Sequence, residues 1–275
     1  GDRQLMTPAQ DPKSTLGKVL RLNLDGTPAA GNPLAEKGFD PAVWSYGHRN
    51  LLGIAFDSDG RLWEMEMGPR HGDEINLIKP GLNYGWPNVS MGDHYDGKPI
   101  PDHAPGDGYE APKVYWVPAI SPGGMDYYNA DLFPQWKNSL FITGLSGKSL
   151  DRIGLDGENA TKADHWDMGA RIRAVRTGPD GALWLLEDGE NARLLKLKRA
   201  HAIPSATPCS GRPSGARRRV VRNRAGCPRH HAAEGRSCRP ALCGDGSGDL
   251  RLSMVDGVPA GWQAAGHPKA RRNDP

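Results

Sequence analysis

One recurring unit restricts the fold of this chain more than any other feature: a short alternating strand, an Asp-Gly turn and a second strand. It appears as VLRLNLDGTP (19–28), GIAFDSDGRLWEME (53–66), LDRIGLDGEN (150–159) and VRTGPDGALWLLED (175–188), with DGRLW and DGALW the clearest copies. Asp-Gly supplies the positive φ of a tight hairpin turn. The flanking residues alternate apolar and polar, as half-buried strands do. No stretch carries a convincing helical period. Imperfect repeats of short strands, roughly 40–50 residues per unit, predict an all-β chain of the β-propeller type; a β-sandwich is the competing architecture. The loop-rich stretch from Gly68 to Ser139 predicts one elaborated connection between blades.

Composition divides the 275 residues into two unlike parts. Residues 1–199 hold 22 Lys+Arg against 27 Asp+Glu, a balance of −5, which argues against binding to DNA or RNA. Residues 200–275 hold 13 against 5, a balance of +8. This second part is rich in Arg with Lys269 as its one lysine, has no strand or helix period, and holds all four cysteines. It reads as a disordered or out-of-frame basic tail, so the domains expected are a partial propeller at 1–198 and an irregular tail at 199–275. Cys209, Cys227, Cys238 and Cys243 lie near His201, His230 and His231, but no CxxC spacing supports a zinc site. No apolar run reaches the roughly 18 residues of a membrane-spanning helix. The opening GDRQLMTPAQ lacks the basic-then-apolar pattern of a leader peptide.

Three clusters carry candidate chemistry. In MGPRHGDEIN (67–76), the Gly68-Pro69 kink ends a strand and exposes carbonyl oxygens, which a hard cation such as Ca2+ accepts as ligands. Asp73 and Glu74 add carboxylate oxygens, and GLNYGWPN (81–88) packs Tyr84 and Trp86 nearby. In YGHRNLLG (46–53), Arg49 and Asn50 sit just before a strand, and a guanidinium suits planar oxygens such as carboxylates and quinone carbonyls. In ARIRAV (170–175), Arg171 and Arg173 alternate with apolar residues and are expected on one side of a strand. Two like charges side by side call for an anion between them, and Asp188 in LLEDGEN is placed to partner one of them. Ser/His/Asp order, P-loop and GxGxxG are all absent.

Together, GHRN followed by GIAFD, then MGPRHGDEIN, GLNYGWP, SPGGMDYY, LFPQWKNSLFITGL and RIRAV with GPDGALWLLED resemble the soluble PQQ-dependent aldose sugar dehydrogenases, the glucose/sorbosone dehydrogenase family. The match runs in order across residues 1 to about 198. It implies a six-bladed propeller of which about four blades are present, with PQQ and Ca2+ at the centre. It further implies that the carbonyls of Gly68 and Pro69 bind the cofactor-associated Ca2+, that Arg49 and Asn50 contact the quinone oxygens, and that Arg171, Arg173 and Asp188 meet the PQQ carboxylates. Asp73, Glu74 and Tyr84 fall at positions lining the same mouth or a second Ca2+ site.

The resemblance implies oxidation of an aldose at C1 to a lactone, with a His base taking the hydroxyl proton, hydride passing to PQQ, and an external electron acceptor reoxidising it. Arg49 and Ca2+ would stabilise charge growing on the quinone oxygen. A periplasmic or secreted location is implied as well. The sequence departs from the family in two places. The family's base lies just before the GDR that is here residues 1–3, and so falls outside this chain; neither His48 nor His71 stands in its place. Where the family often has a Lys near the cofactor, this chain has Ser146, with Lys148 two residues on as a substitute. The alternative function is a Ca2+-binding propeller scaffold without catalysis.

Overall fold

The computed structural model describes residues 5–199 and the main chain of residues 250–254. Among these, no α-helix occurs; three single-turn 3-10 segments interrupt fourteen strands. A two-stranded sheet pairs β1 (Lys18–Leu20) with β2 (Val43–Tyr46). Three four-stranded antiparallel sheets follow. The first is β3 (Leu51–Phe56), β4 (Leu62–Glu66), β5 (Asp73–Ile78) and β6 (Val114–Trp116). The second is β7 (Pro122–Tyr128), β8 (Ser139–Gly144), β9 (Ser149–Asp156) and β10 (Asn159–Asp167). The third is β11 (Ile172–Thr177), β12 (Leu183–Glu187), β13 (Leu194–Arg199) and β14 (Leu250–Met254). Strand β7 lies against both β3 and β11, so the first strands of neighbouring sheets face one another. This is a partial β-propeller: three whole blades and a two-stranded piece of another.

Three expectations change in detail. The two clearest Asp-Gly turns, before DGRLW and DGALW, do join first to second strands, but the turn at 156–159 joins the third and fourth strands of its blade. The elaborated segment lies inside a blade, between β5 and β6, rather than between blades. And Leu250–Met254, expected in an irregular tail, pairs antiparallel with β13 as a fourth strand. The four cysteines and the rest of the tail lie outside the described residues.

Two cores fill the spaces between blades. Trp63, Met65, Ile75 and Leu77 of the first whole blade pack on Met125, Leu140, Ile142 and Ile153 of the second. Tyr128, Phe133, Trp136, Phe141 and Trp166 then pack on Ile172, Val175, Leu183 and Leu185 of the third. Strand β8 explains the arrangement. Its successive side chains point to opposite faces, so Leu140 and Ile142 enter one core while Phe141 enters the other. Every residue of β8 is buried for that reason, and each large side chain contributes roughly 1.5–3 kcal/mol.

A bulge recurs at the same place in all three blades. Pairing of the first strand with the second skips one residue at Leu51/Gly53, Pro122/Gly124 and Ile172/Ala174. The extra residues are therefore Leu52, Gly123 and Arg173. A bulge twists its strand and re-aims the side chain it carries. At Gly123 the neighbouring blade leaves no room for a side chain: a Cβ there would lie 2.7 Å from the carbonyl oxygen of Ile172.

Candidate cofactor site

Antiparallel pairing places the start of a first strand, the end of a second and the start of a third at one end of the blade. Arg49 and Asn50 precede β3, Gly68 and Pro69 follow β4, and Asp73 opens β5. Arg171 precedes β11, Asp188 follows β12, and Ser146 to Lys148 form the turn between β8 and β9. The sequence-predicted residues thus gather at the same end of their blades.

Arg171 and Arg173 close on a single anion. Arg171 Nε donates to Asp188 Oδ2 at 2.7 Å, and Arg173 Nε and Nη2 donate to Oδ1 at 3.2 and 3.1 Å. Asp188 partners both arginines, where the sequence suggested one. They meet for a different reason than simple alternation: Arg171 stands outside the strand and Arg173 is the bulged residue. The hydrogen bonds from both arginines hold the Asp188 carboxyl below its ordinary range. Both guanidiniums remain about half exposed, at 47% and 48%, so the clamp is an open, net positive claw.

Arg49 is buried and braced from several sides. Its main-chain N–H donates to Glu66 Oε2 at 2.6 Å, and that of Asn50 to the same oxygen at 3.2 Å. Its Nη1 donates to the carbonyl of Met67 at 2.7 Å, and its guanidinium lies 5.3 Å from the Trp86 ring centroid. The adjoining loop needs glycine at Gly68, where a Cβ would sit 2.2 Å from the carbonyl oxygen of His71.

Asp73 has a different position from the one its type suggested. Its Oδ1 accepts from the N–H of Gly68 at 3.0 Å, and Oδ2 from those of Ile120 and Ser121, both at 2.8 Å. It is a clasp between loops, and burial raises its carboxyl pKa despite these bonds. The Tyr84 hydroxyl likewise points away to the main chain, donating to Leu77 O at 2.6 Å and accepting from Lys79 N–H at 2.9 Å. Lys148 is exposed, adopts a positive φ of 51°, and makes no ion pair among the described residues. Ser146 Oγ donates to Ser121 Oγ at 2.8 Å.

Sequence reading missed a polar square on the blade face behind Arg49. Glu64 and Glu66 of β4 stand opposite Asn76 and Glu74 of β5. All four are buried, as is His48 above them. Burial and the neighbouring Glu66 push the carboxyls of Glu64 and Glu74 well above the usual range. Burial pushes Glu66 up too, but His48 and the N–H groups of Arg49 and Asn50 outweigh it and hold it low. A cavity of about 10 Å³ beside the square is lined by Arg49, Glu66, Gly68, Gly72, Glu74 and Tyr84, among others. It has room for one water-sized particle. The signal was legible as EME and EIN: polar residues two apart, Glu64 and Glu66, Glu74 and Asn76, in strands otherwise built for burial.

Residues 1–196 match the glucose/sorbosone dehydrogenase family. The chain belongs to this family. It is similar to the aldose sugar dehydrogenase YliI of Escherichia coli, 41% identical over 204 residues that cover 72% of this chain and 55% of the relative. The apo structure of the soluble aldose sugar dehydrogenase from E. coli superimposes with a TM-score of 0.66 at 40% identity, covering 71% of this chain and 58% of that one. The PQQ-bound aldose sugar dehydrogenase from Streptomyces coelicolor gives 0.56 at 34% identity, covering 71% and 56%. The chain spans about half the length of the curated relatives it matches.

Proposed function

We propose that this chain forms the cofactor-facing part of a PQQ- and Ca2+-dependent aldose dehydrogenase that oxidises its sugar at C1 to the lactone. The observation that carries this reading is the Arg171–Asp188–Arg173 claw, set at the same end of the blades as the Gly68 and Pro69 carbonyls. The residues fit the group. Asp188 stands in for a carboxylate gripped by two guanidiniums, and its single charge leaves one positive charge to attract another. Main-chain carbonyls are ligands a hard cation accepts, and the small cavity between Glu66 and Glu74 suits a second such ion. When bound, PQQ supplies the carbonyl that accepts hydride.

The chain's own residues then have separable tasks. Arg171 and Arg173 hold and orient the cofactor's carboxylates. Arg49, fixed by Glu66, keeps a positive charge where quinone oxygen becomes negative. Pro69, Trp86, His94 and Tyr95 line an open cleft of about 350 Å³ that would receive the sugar. Asn50 completes the quinone contact, and Lys148 reaches in from the β8–β9 turn. The His base, the external electron acceptor and a periplasmic or secreted location belong to the same reading. Among the described residues, no helix is long and apolar enough to cross a membrane.

The test is PQQ titration with and without Ca2+, on this chain and on a version extended upstream by two blades, read by quinone absorbance and glucose-dependent dye reduction. Binding by both, with dye reduction only in the extended form, supports the enzyme and the upstream base. Ca2+ binding without PQQ binding in either would overturn it in favour of a scaffold, a reading that Ser146 in place of the family's Lys favours.

A further inference from the structure

The polar square holds more buried polar atoms than its own hydrogen bonds can satisfy. Glu64, Glu66 and Glu74 all converge on the Asn76 amide, whose Nδ2 lies 3.2, 3.2 and 3.5 Å from them. An amide nitrogen has two hydrogens, and Glu66 has main-chain donors of its own in Arg49 and Asn50, so Glu64 is the group left short. Glu64 Oε1 and His48 Nδ1 are left without a hydrogen-bond partner, and both side chains are fully buried. His48 Nδ1 lies 3.7 Å from Glu66 Oε1, too far for a hydrogen bond. Buried polar groups are unfavourable unless something pairs with them.

The imidazole is held in place by its other side. Ser45 Oγ meets His48 Nε2 at 2.9 Å, and the Tyr84 ring stacks on it at 4.5 Å between centroids. This is how a ligating histidine is oriented by its neighbours. One nitrogen of His48 and one oxygen each of Glu64 and Glu66 lie within 4.8 Å of one another. Two of these ligands stand two residues apart on β4 and share its face, and the third descends from the loop before β3.

We propose that His48, Glu64 and Glu66 bind a divalent transition-metal ion of the zinc class, at a site separate from the quinone. An imidazole nitrogen with two carboxylate oxygens suits Zn2+ or Co2+ far better than Ca2+, which takes oxygen ligands alone. Three protein ligands leave the fourth position to water or to Asn76, whose Oδ1 is also without a partner. Of the three ligands only Glu66 borders the small cavity between Glu74 and Tyr84, and His48 and Glu64 set this site apart from it. The ion would be structural, locking the Glu66 carboxylate that fixes the Arg49–Asn50 turn.

The full chain, with its cysteines alkylated and metals stripped by a chelator, would be titrated with Zn2+ by calorimetry and with Co2+ by visible absorption. We expect one ion per chain, a Tm rise of about 5 °C, and a spectrum of nitrogen and oxygen ligation that excess Ca2+ does not abolish. H48Q and E64Q should each weaken binding on the order of 100-fold. No stoichiometric ion, displacement by Ca2+, or unchanged binding in both variants would overturn the proposal. If the variants do not fold, NMR of the histidine rings decides: one buried ring must shift on adding Zn2+ through Nδ1, and no such shift overturns it.

Discussion

Arg173 is a bulge residue first and a charged residue second. Its place in β11 lets it share Asp188 with Arg171, so truncating it removes one arm of the claw without touching either core. Arg173→Ala should weaken PQQ binding about tenfold or more, because a hydrogen bond to a charged group contributes roughly 1.5–3 kcal/mol; quinone titration checks this, and an unchanged Kd would remove the claw from the site. Lys18 makes a different point. Buried, its ammonium donates to the carbonyls of Pro8, Ala9 and Leu16. Burial lowers its pKa from 10.5 to about 8, partly opposed by Asp11. Between those values the folded form binds fewer protons than the unfolded, so stability should rise as pH increases from about 8 to 10.5 and be indifferent to this group below pH 8. Denaturant melts of the wild type and Lys18→Met across that range would show the slope flattened in the variant. At this scale the sequence was readable where a residue's type announces its partner, as with Arg171, Arg173 and Asp188. It was silent where a carboxylate serves main-chain N–H groups, as Asp73 does, since nothing in DEIN says which oxygens are already engaged.

The repeated bulge governs the elements. Each first strand gains one residue on entering its blade, which turns that end of the strand toward the neighbouring blade. At Gly123 two such strands lie close together, and a methyl group there meets the Ile172 and Arg173 carbonyls. Gly123→Ala should cost about 1–3 kcal/mol through overpacking, seen as a lower denaturant midpoint with unchanged m value, and should loosen the Arg171–Arg173 claw as well. A variant as stable as the parent would mean that β7 and β11 separate freely. The Asp-Gly turns were legible because turn chemistry is local. The bulges were not, because an extra residue in a ladder depends on a strand that comes later in the chain. The segment between β5 and β6 was legible as loop, but only pairing of Val114–Trp116 with β5 reveals that it lies within one blade.

The whole molecule leaves one blade face uncovered among the described residues. Ile54 and Phe56 are 60% and 63% exposed on β3. With Leu20, Leu22 and Trp44 they line a groove of about 520 Å³ between the two-stranded sheet and the first whole blade. Apolar surface beside an incomplete sheet invites pairing. The chain should self-associate at tens of micromolar, and the Ile54→Lys, Phe56→Lys double variant should sediment as a monomer; a monomeric wild type melting cooperatively above about 60 °C would count against this. The propeller class was legible from repeats, whereas the pairing of Leu250–Met254 was not, because its sequence neighbours carry no strand period. The Asp73 clasp reaches across this same scale, for Gly68 belongs to one blade and Ile120 and Ser121 lead into the next. Three amide hydrogens depend on one carboxylate. They should therefore exchange with solvent as a set, and Asp73→Asn should speed all three together in a hydrogen-exchange experiment. The boundary between these blades would then open as one latch, carrying the Gly68-Pro69 kink with it.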